Sequence, residues 1–149
     1  MQSRFLLIIA ALSLGMILPL QAAINSKLSR AIGSPVYAAF VSFAVGTVAL
    51  FLYLLLNKQF NLSVLQPAKN PWWIWTGGLL GTFFVAGIVI LLPRLGVVLA
   101  FSLVVAGQML ASILFDQFGW LGVAIKEISM GKIAGVVLLV IAVILIRKY

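Results

Sequence analysis

The sequence predicts an all-α integral membrane protein, a bundle of five transmembrane helices. Of its 149 residues, 64% are hydrophobic and only 8% are charged, whereas soluble domains average about 45–50% apolar and about 25% charged residues. A spanning helix needs about 20 apolar residues, and the chain has five runs of roughly that length without the period-two alternation of a membrane β-barrel. Helices in one domain, residues 1–149, are expected at about 5–32, 35–56, 71–92, 97–117 and 131–147.

Residues at the borders of the runs support this division. Gly33, Ser34 and Pro35 follow one another as a helix stop, an N-cap and a proline at the first helical position. Asn70 and Pro71 open the third helix in the same way. The tryptophans at 72, 73, 75 and 120 are expected in the interfacial aromatic belts. The first run continues beyond the length of a signal-peptide core, so we expect a span there rather than a cleaved leader.

Composition also excludes several classes of function. Cysteine and histidine are both absent, so disulfides, thiol chemistry and the usual transition-metal ligands are excluded. No nucleophile–base pair or phosphate-binding loop is present. We therefore expect neither an enzyme nor a bound cofactor, and the short connections leave no room for a nucleic-acid-binding domain.

The ten cations give a net charge of +8, and their positions are more informative than their sum. We call the membrane face of the N-terminus side one and the opposite face side two. Five spans then place five cations on each face: Arg4, Lys58, Lys69, Lys126 and Lys132 on side one, and Lys27, Arg30, Arg94, Arg147 and Lys148 on side two. The positive-inside rule consequently selects no orientation, which favours a chain that inserts both ways. The alternative is that one or two loop charges dominate.

Dual topology would allow two opposed copies to assemble. An antiparallel homodimer, or a pair with an oppositely oriented paralogue, would reproduce with two chains the inverted-repeat architecture of many secondary transporters. If the two copies adopt different conformations, an exchange of these conformations would convert an inward-open dimer into an outward-open one. This is alternating access.

Several short motifs together resemble one family. They are Leu18-Pro19-Leu20-Gln21-Ala22-Ala23-Ile24-Asn25, Gly33-Ser34-Pro35, Val41-Ser42-Phe43 with Gly46-Thr47, Pro71-Trp72-Trp73, Pro93-Arg94-Leu95-Gly96, Val105-Ala106-Gly107-Gln108 and Asp116-Gln117-Phe118-Gly119-Trp120. The chain resembles the YdcZ-like five-span proteins of the drug/metabolite transporter superfamily over nearly its whole length. The resemblance implies five spans per chain, a bacterial inner-membrane location and dimers or oppositely oriented pairs. It implies no particular substrate.

Polar residues inside the spans are the candidates for a solute pathway. Gln21 and Asn25 share one face of the first helix, beyond a hinge expected at Gly15 and Pro19. Gln108 lies near the middle of the fourth helix, where an amide is costly unless it is paired. It could bind solute, or it could bond to a hydroxyl such as that of Ser102. Ser42, Thr47 and Thr82 complete the expected pathway.

Asp116 is the carboxylate closest to the hydrocarbon and the possible coupling acid. Its interfacial depth also suits a paired or solvated anchor. The related small multidrug-resistance transporters use a glutamate in their first helix, and no acid occurs in the first helix here. That difference argues against cation export by the same route. Lys27, Arg30 and Arg94 could attract an anion, although such residues are more often topology determinants and headgroup contacts.

Small residues spaced four apart allow helices to approach closely, either within the bundle or in a dimer. They are Gly77 and Gly81, Gly107 and Ala111, and Gly131 and Gly135. The resulting functional expectation is a transporter or exporter of a small organic solute. The alternatives are a non-transporting assembly factor and a small ion channel built from an antiparallel dimer.

Overall fold

The computed structural model describes residues 2–65 and 70–149. It contains five long α-helices: α1 (Gln2–Ile32), α2 (Pro35–Leu56), α3 (Gly77–Leu95), α4 (Val97–Phe118) and α5 (Met130–Lys148). Each of the five, α3 together with the turn that precedes it, is long and apolar enough to cross a membrane. The predicted all-helical, five-span fold is confirmed. Lys69, which the sequence places among the cations of side one, lies outside the described residues.

The chain divides into two compact units, Met1–Arg94 and Leu95–Tyr149. In the first unit a tight turn reverses the chain between α1 and α2. Gly33 adopts a positive φ of 75°, which a glycine reaches without a steric penalty. The Ser34 hydroxyl then accepts a hydrogen bond from the Tyr37 amide at 3.3 Å, and Pro35 occupies the first turn of α2.

Small residues make the contact between α1 and α2. Ala22 and Ser26 of α1 are buried, as are Ala38 and Ala39 of α2. Positions 22 and 26 lie one turn apart, so they share a face of α1. Side chains of this size let two helix backbones approach closely, as is common in membranes.

The third span differs from its predicted limits at both ends. Pro71 caps a 3₁₀ helix over Trp72–Thr76, and α3 begins only at Gly77. Short 3₁₀ turns are frequent at the ends of α-helices, and the Ile74 amide here donates to the Pro71 carbonyl at 3.3 Å. At the other end α3 continues through Pro93 to Leu95 rather than ending at residue 92. Pro93 has no amide hydrogen to donate to the Val89 carbonyl, so the last turn of α3 lacks one helical hydrogen bond.

The second unit is a pair of helices joined by an ordered loop. Gly96 has a φ of 75° and precedes α4. Gly119 ends α4 with a φ of 62°, and its amide donates to the Phe115 carbonyl. The chain then folds back, so that the Lys126 amide donates to the Asp116 carbonyl at 2.9 Å. This return brings the start of α5 beside the end of α4.

We expect Gly119→Ala to lower the unfolding temperature measured in detergent. A left-handed conformation costs an ordinary residue about 1–2 kcal/mol, and a Cβ at this position would lie 2.7 Å from Ile125 Cγ1. Gly122→Ala is the matched control, because Gly122 also has a positive φ, 81°, but no neighbour within 4 Å of the added Cβ. Gly119→Ala should therefore destabilise more than Gly122→Ala, and equal effects would contradict the close contact with Ile125.

Candidate functional site

A cavity of about 250 Å³ lies between α1 and α2. Its lining combines polar side chains with a glycine and apolar groups: Gln21, Ser42, Phe43, Gly46, Thr47 and Leu50. We call it the α1/α2 cavity. Three of the pathway residues predicted from the sequence therefore meet at one place. An amide and two hydroxyls can donate and accept hydrogen bonds without carrying charge.

Asn25 adjoins this cavity through a hydrogen bond between the helices. The residue is only 4% exposed, and its Nδ2 donates to Ser42 Oγ at 3.3 Å. Asn25 lies one turn beyond Gln21 on α1, which aligns the two amides along the same helix face. A buried amide needs such a partner, because an unsatisfied polar group in a low-dielectric interior is costly.

The bond between Asn25 and Ser42 is expected to couple α1 to α2 by a small amount. Interhelical hydrogen bonds in membranes contribute about 0.6 kcal/mol on average. A double-mutant cycle of Asn25→Ala and Ser42→Ala, with unfolding followed in mixed micelles, should give a coupling free energy of about that size. Strictly additive losses would show that the two side chains do not interact.

The predicted hinge residues lie on an uninterrupted helix. The helical assignment of α1 continues through Gly15 and Pro19. Pro19 lacks an amide hydrogen, so the Gly15 carbonyl loses its usual partner one turn later. A Cβ added at Gly15 would meet no atom within 4 Å. A hinge at this position stays a prediction.

Two other predicted pathway residues do not join the α1/α2 cavity. The Thr82 hydroxyl donates to the Gly78 carbonyl of its own helix at 3.0 Å. Gln108, in the second unit, has an exposed side chain that makes no hydrogen bond to any residue the structure describes. The Ser102 hydroxyl, considered as its partner, donates instead to the Val98 carbonyl at 2.8 Å.

Asp116 forms an ion pair in the second unit. Its Oδ2 lies 3.0 Å from Lys132 Nζ, and the side chains of Lys132 and Asp116 are 34% and 31% exposed, respectively. This is the only ion pair among residues 2–65 and 70–149. Asp116 is therefore paired, as it would be in the anchor considered from the sequence. A role as coupling acid stays a prediction.

The sequence interpretation used Lys132 only for topology and missed it as the partner of Asp116. A cation in the first turn of a helix lies at the positive end of the helix dipole, as Lys132 does in α5. Such a placement is unfavourable unless an anion compensates it. That signal in the sequence could have identified the pair.

The ion pair lies on the lining of a second cavity, of about 460 Å³, between α4 and α5. We call it the α4/α5 cavity. The rest of its lining is largely apolar and consists of Val105, Met109, Ser112, Ile113, Gly135, Val136 and Leu139. Composition and spacing gave no indication of this cavity, because it depends on how the loop after Gly119 returns the chain.

The loop beside the ion pair is held by several contacts. The Gln117 side-chain oxygen accepts a hydrogen bond from the Ile128 amide at 3.3 Å. The ring of Trp120 meets that of Phe115 edge-on, with centroids 6.0 Å apart, and stacks on Phe118 at 5.3 Å. These contacts fix the end of α4 that carries Asp116.

The small residues predicted to mediate packing have different surroundings. A Cβ on Gly81 would lie 3.3 Å from the Phe43 ring, so this glycine allows close contact with α2. The corresponding positions on Gly77, Gly107 and Gly135 are open, and Gly131 meets only Ser129 Oγ at 3.8 Å. Ala111 is exposed on α4. A dimer contact through any of them stays a prediction.

Comparison with known proteins identifies the family. No group of three or more potential metal ligands occurs among the residues that the structure describes, and no curated protein or solved structure matches the chain. A family model described as "Putative inner membrane exporter, YdcZ" matches residues 6–145. That match covers both cavities and all five spans except the outermost residues. The chain is therefore a multi-pass inner-membrane protein that belongs to the YdcZ family, as its sequence motifs predicted.

Proposed function

We propose that the chain is a secondary exporter of a small organic solute and works as a dual-topology antiparallel homodimer by alternating access. The observation that carries this proposal is the division of the ten cations of the sequence into five on each membrane face. With five spans and equal numbers of lysine and arginine residues on the two faces, the positive-inside rule favours neither orientation, because it counts cations and gives carboxylates little weight. Copies of the chain in both orientations would then be present in one membrane and could pair.

The exposed surface of α4 supports a partner in the membrane. Gln108 is the twelfth residue of the 22-residue helix α4, so it lies near the middle of the span. An exposed amide at that depth is costly in lipid unless another protein group binds it. Gly107 and Ala111 are close by on the same helix and would let a second copy approach. In an antiparallel pair, residues near the midplane of both copies can meet.

The α1/α2 cavity supports a solute pathway. Its amide and hydroxyls lie within the spans, about 10–18 Å along the helices from the turn that joins α1 and α2, at a rise of 1.5 Å per residue. Uncharged donors and acceptors at this depth suit a polar group of a small solute. Pro19 lies on α1 near Gln21, where a change of helix bend would alter the cavity. Asp116 would be the coupling acid in a proton-linked cycle.

Flux into proteoliposomes tests the proposal. Purified protein is reconstituted, and a panel of radiolabelled organic solutes is screened with and without a proton gradient. We expect saturable flux of at least one solute, with exchange stimulated from the opposite side. Flux that rises linearly with concentration would favour a channel, and the absence of flux under every gradient would favour an assembly factor. Either result would contradict the proposed exporter.

A further inference from the structure

The α4/α5 cavity combines an apolar wall with one pair of opposite charges. Along α4 the lining extends from Val105 to Asp116, a separation of eleven residues and about 16 Å at a rise of 1.5 Å per residue. The ion pair of Asp116 and Lys132 occupies one end of that stretch. The Ser112 hydroxyl is already engaged, because it donates to the Gln108 carbonyl at 2.7 Å. The cavity is thus amphipathic along its length.

We propose that this cavity binds a zwitterionic amphiphile with a single apolar chain. In the bound state the ligand's ammonium contacts Asp116, its carboxylate contacts Lys132, and its chain lies along Met109 and Leu139. The inference names the class of solute for the exporter proposed above and rests on that proposal. It assigns the recognition of charge to the second unit and leaves the uncharged α1/α2 cavity as a separate part of the pathway.

The ion pair itself favours a ligand that carries both charges. Each member of the pair keeps about a third of its surface exposed, so each can bind a further group without breaking the bond between them. A ligand with one charge would leave the opposite member of the pair without compensation. Uncompensated charge is unfavourable next to an apolar wall. A zwitterion instead completes a set of four alternating charges.

The size of the cavity favours one chain over two. A volume of about 460 Å³ falls within the range of sites for drug-sized ligands. A two-chain phospholipid is much larger than such a ligand, although the headgroup of phosphatidylethanolamine is also zwitterionic. We therefore assign the cavity to a single-chain solute, and lipid occupancy becomes one outcome of the test.

Equilibrium binding tests the assignment with a matched set of three probes. The probe is tritiated 2-aminodecanoic acid, which carries an ammonium and a carboxylate on one carbon. Its competitors are decanoate and decylammonium, which carry a similar chain but one charge each. The protein is placed in phosphatidylglycerol nanodiscs, and binding to empty nanodiscs is subtracted. We expect the amino acid to bind at least about tenfold more tightly than either competitor. Each competitor lacks one charged group, and the loss of a hydrogen bond to a charged group weakens binding by at least about that factor.

Variants locate the binding within the cavity. Asp116→Asn and Lys132→Gln should each weaken binding at least about tenfold, and the exchanged pair Asp116→Lys with Lys132→Asp should restore most of it. Gly135→Leu should abolish binding, because a side chain at this open position extends into the cavity. Val137→Phe adds bulk to an exposed position of the same helix and should bind normally.

Three results would overturn the assignment. Equal affinity for all three probes would show that the charges play no part. Unchanged binding by a folded Gly135→Leu protein would place the ligand elsewhere. Loss of binding when phosphatidylethanolamine replaces phosphatidylglycerol would identify the membrane lipid as the occupant.

Flux of the same amino acid separates this inference from the proposed export. Binding that follows the expected pattern without flux of this amino acid or of any solute of the panel would support the site and contradict the exporter. Flux that persists in Gly135→Leu would support export and contradict the site. Binding and flux that are both lost in Gly135→Leu, and both retained in Val137→Phe, are the result expected if both proposals hold.

Discussion

Gly46→Leu is expected to slow transport at least about tenfold while leaving the fold intact. Gly46 lines the α1/α2 cavity, and a Cβ added there would meet no atom within 4 Å. A leucine can therefore be accommodated without moving either helix, and its branched end would occupy the space beside Gln21 and Thr47. Initial rates of flux in proteoliposomes should fall at least about tenfold, which corresponds to about 1.4 kcal/mol of activation free energy.

Gly78→Leu is the matched control for this change. Gly78 is exposed on α3, and an added Cβ has the same open surroundings, but the residue lines neither cavity. Both variants should unfold at the temperature of the parent protein in detergent. Normal flux through a stable Gly46→Leu protein would show that solute does not pass the α1/α2 cavity.

Two added lysines on one membrane face are expected to fix the orientation of the chain and to stop transport. Gln59→Lys with Leu65→Lys adds charge to side one, and Ile32→Lys with Tyr149→Lys adds charge to side two. All four positions are exposed. Because the two faces of the natural chain carry equal numbers of lysine and arginine residues, the two added lysines alone determine which orientation is preferred. Each variant alone should then lack the opposed partner that the proposed dimer requires.

Coexpression of the two variants should restore transport. One population would insert in each orientation, and antiparallel pairs could form again. The control is expression of either variant at twice the level, which should stay inactive. Full activity of one orientation by itself, with uniform insertion confirmed, would contradict an antiparallel working unit and favour a parallel dimer or a monomer.

The elements that could be predicted from the sequence are those set by local physics. Five apolar runs predict five spans because the bilayer imposes both length and composition. The turn at Gly33, Ser34 and Pro35 was predictable because a positive φ, an N-cap and a first-turn proline each require a particular residue type. The spacing of Gln21 and Asn25 placed both amides on one face of α1, where the structure joins Asn25 to Ser42.

Other features depend on contacts between distant residues. Asp116 and Lys132 are sixteen residues apart, and they meet only because the chain reverses after Gly119 and is held by its own hydrogen bonds. The α4/α5 cavity follows from that path, so no periodicity reveals it. The third span starts with a 3₁₀ helix over Trp72–Thr76, which differs from an α-helix in its hydrogen-bond spacing, and hydropathy does not register that difference.

The orientation of the unmodified chain is the most direct test of the central claim. A C-terminal reporter active only in the cytoplasm and one active only in the periplasm are fused in turn after Tyr149, and their signals are compared at equal protein levels. The proposed dual topology predicts substantial activity from both fusions, because copies of both orientations are present. Activity confined to one fusion would contradict dual topology and, with it, the antiparallel homodimer.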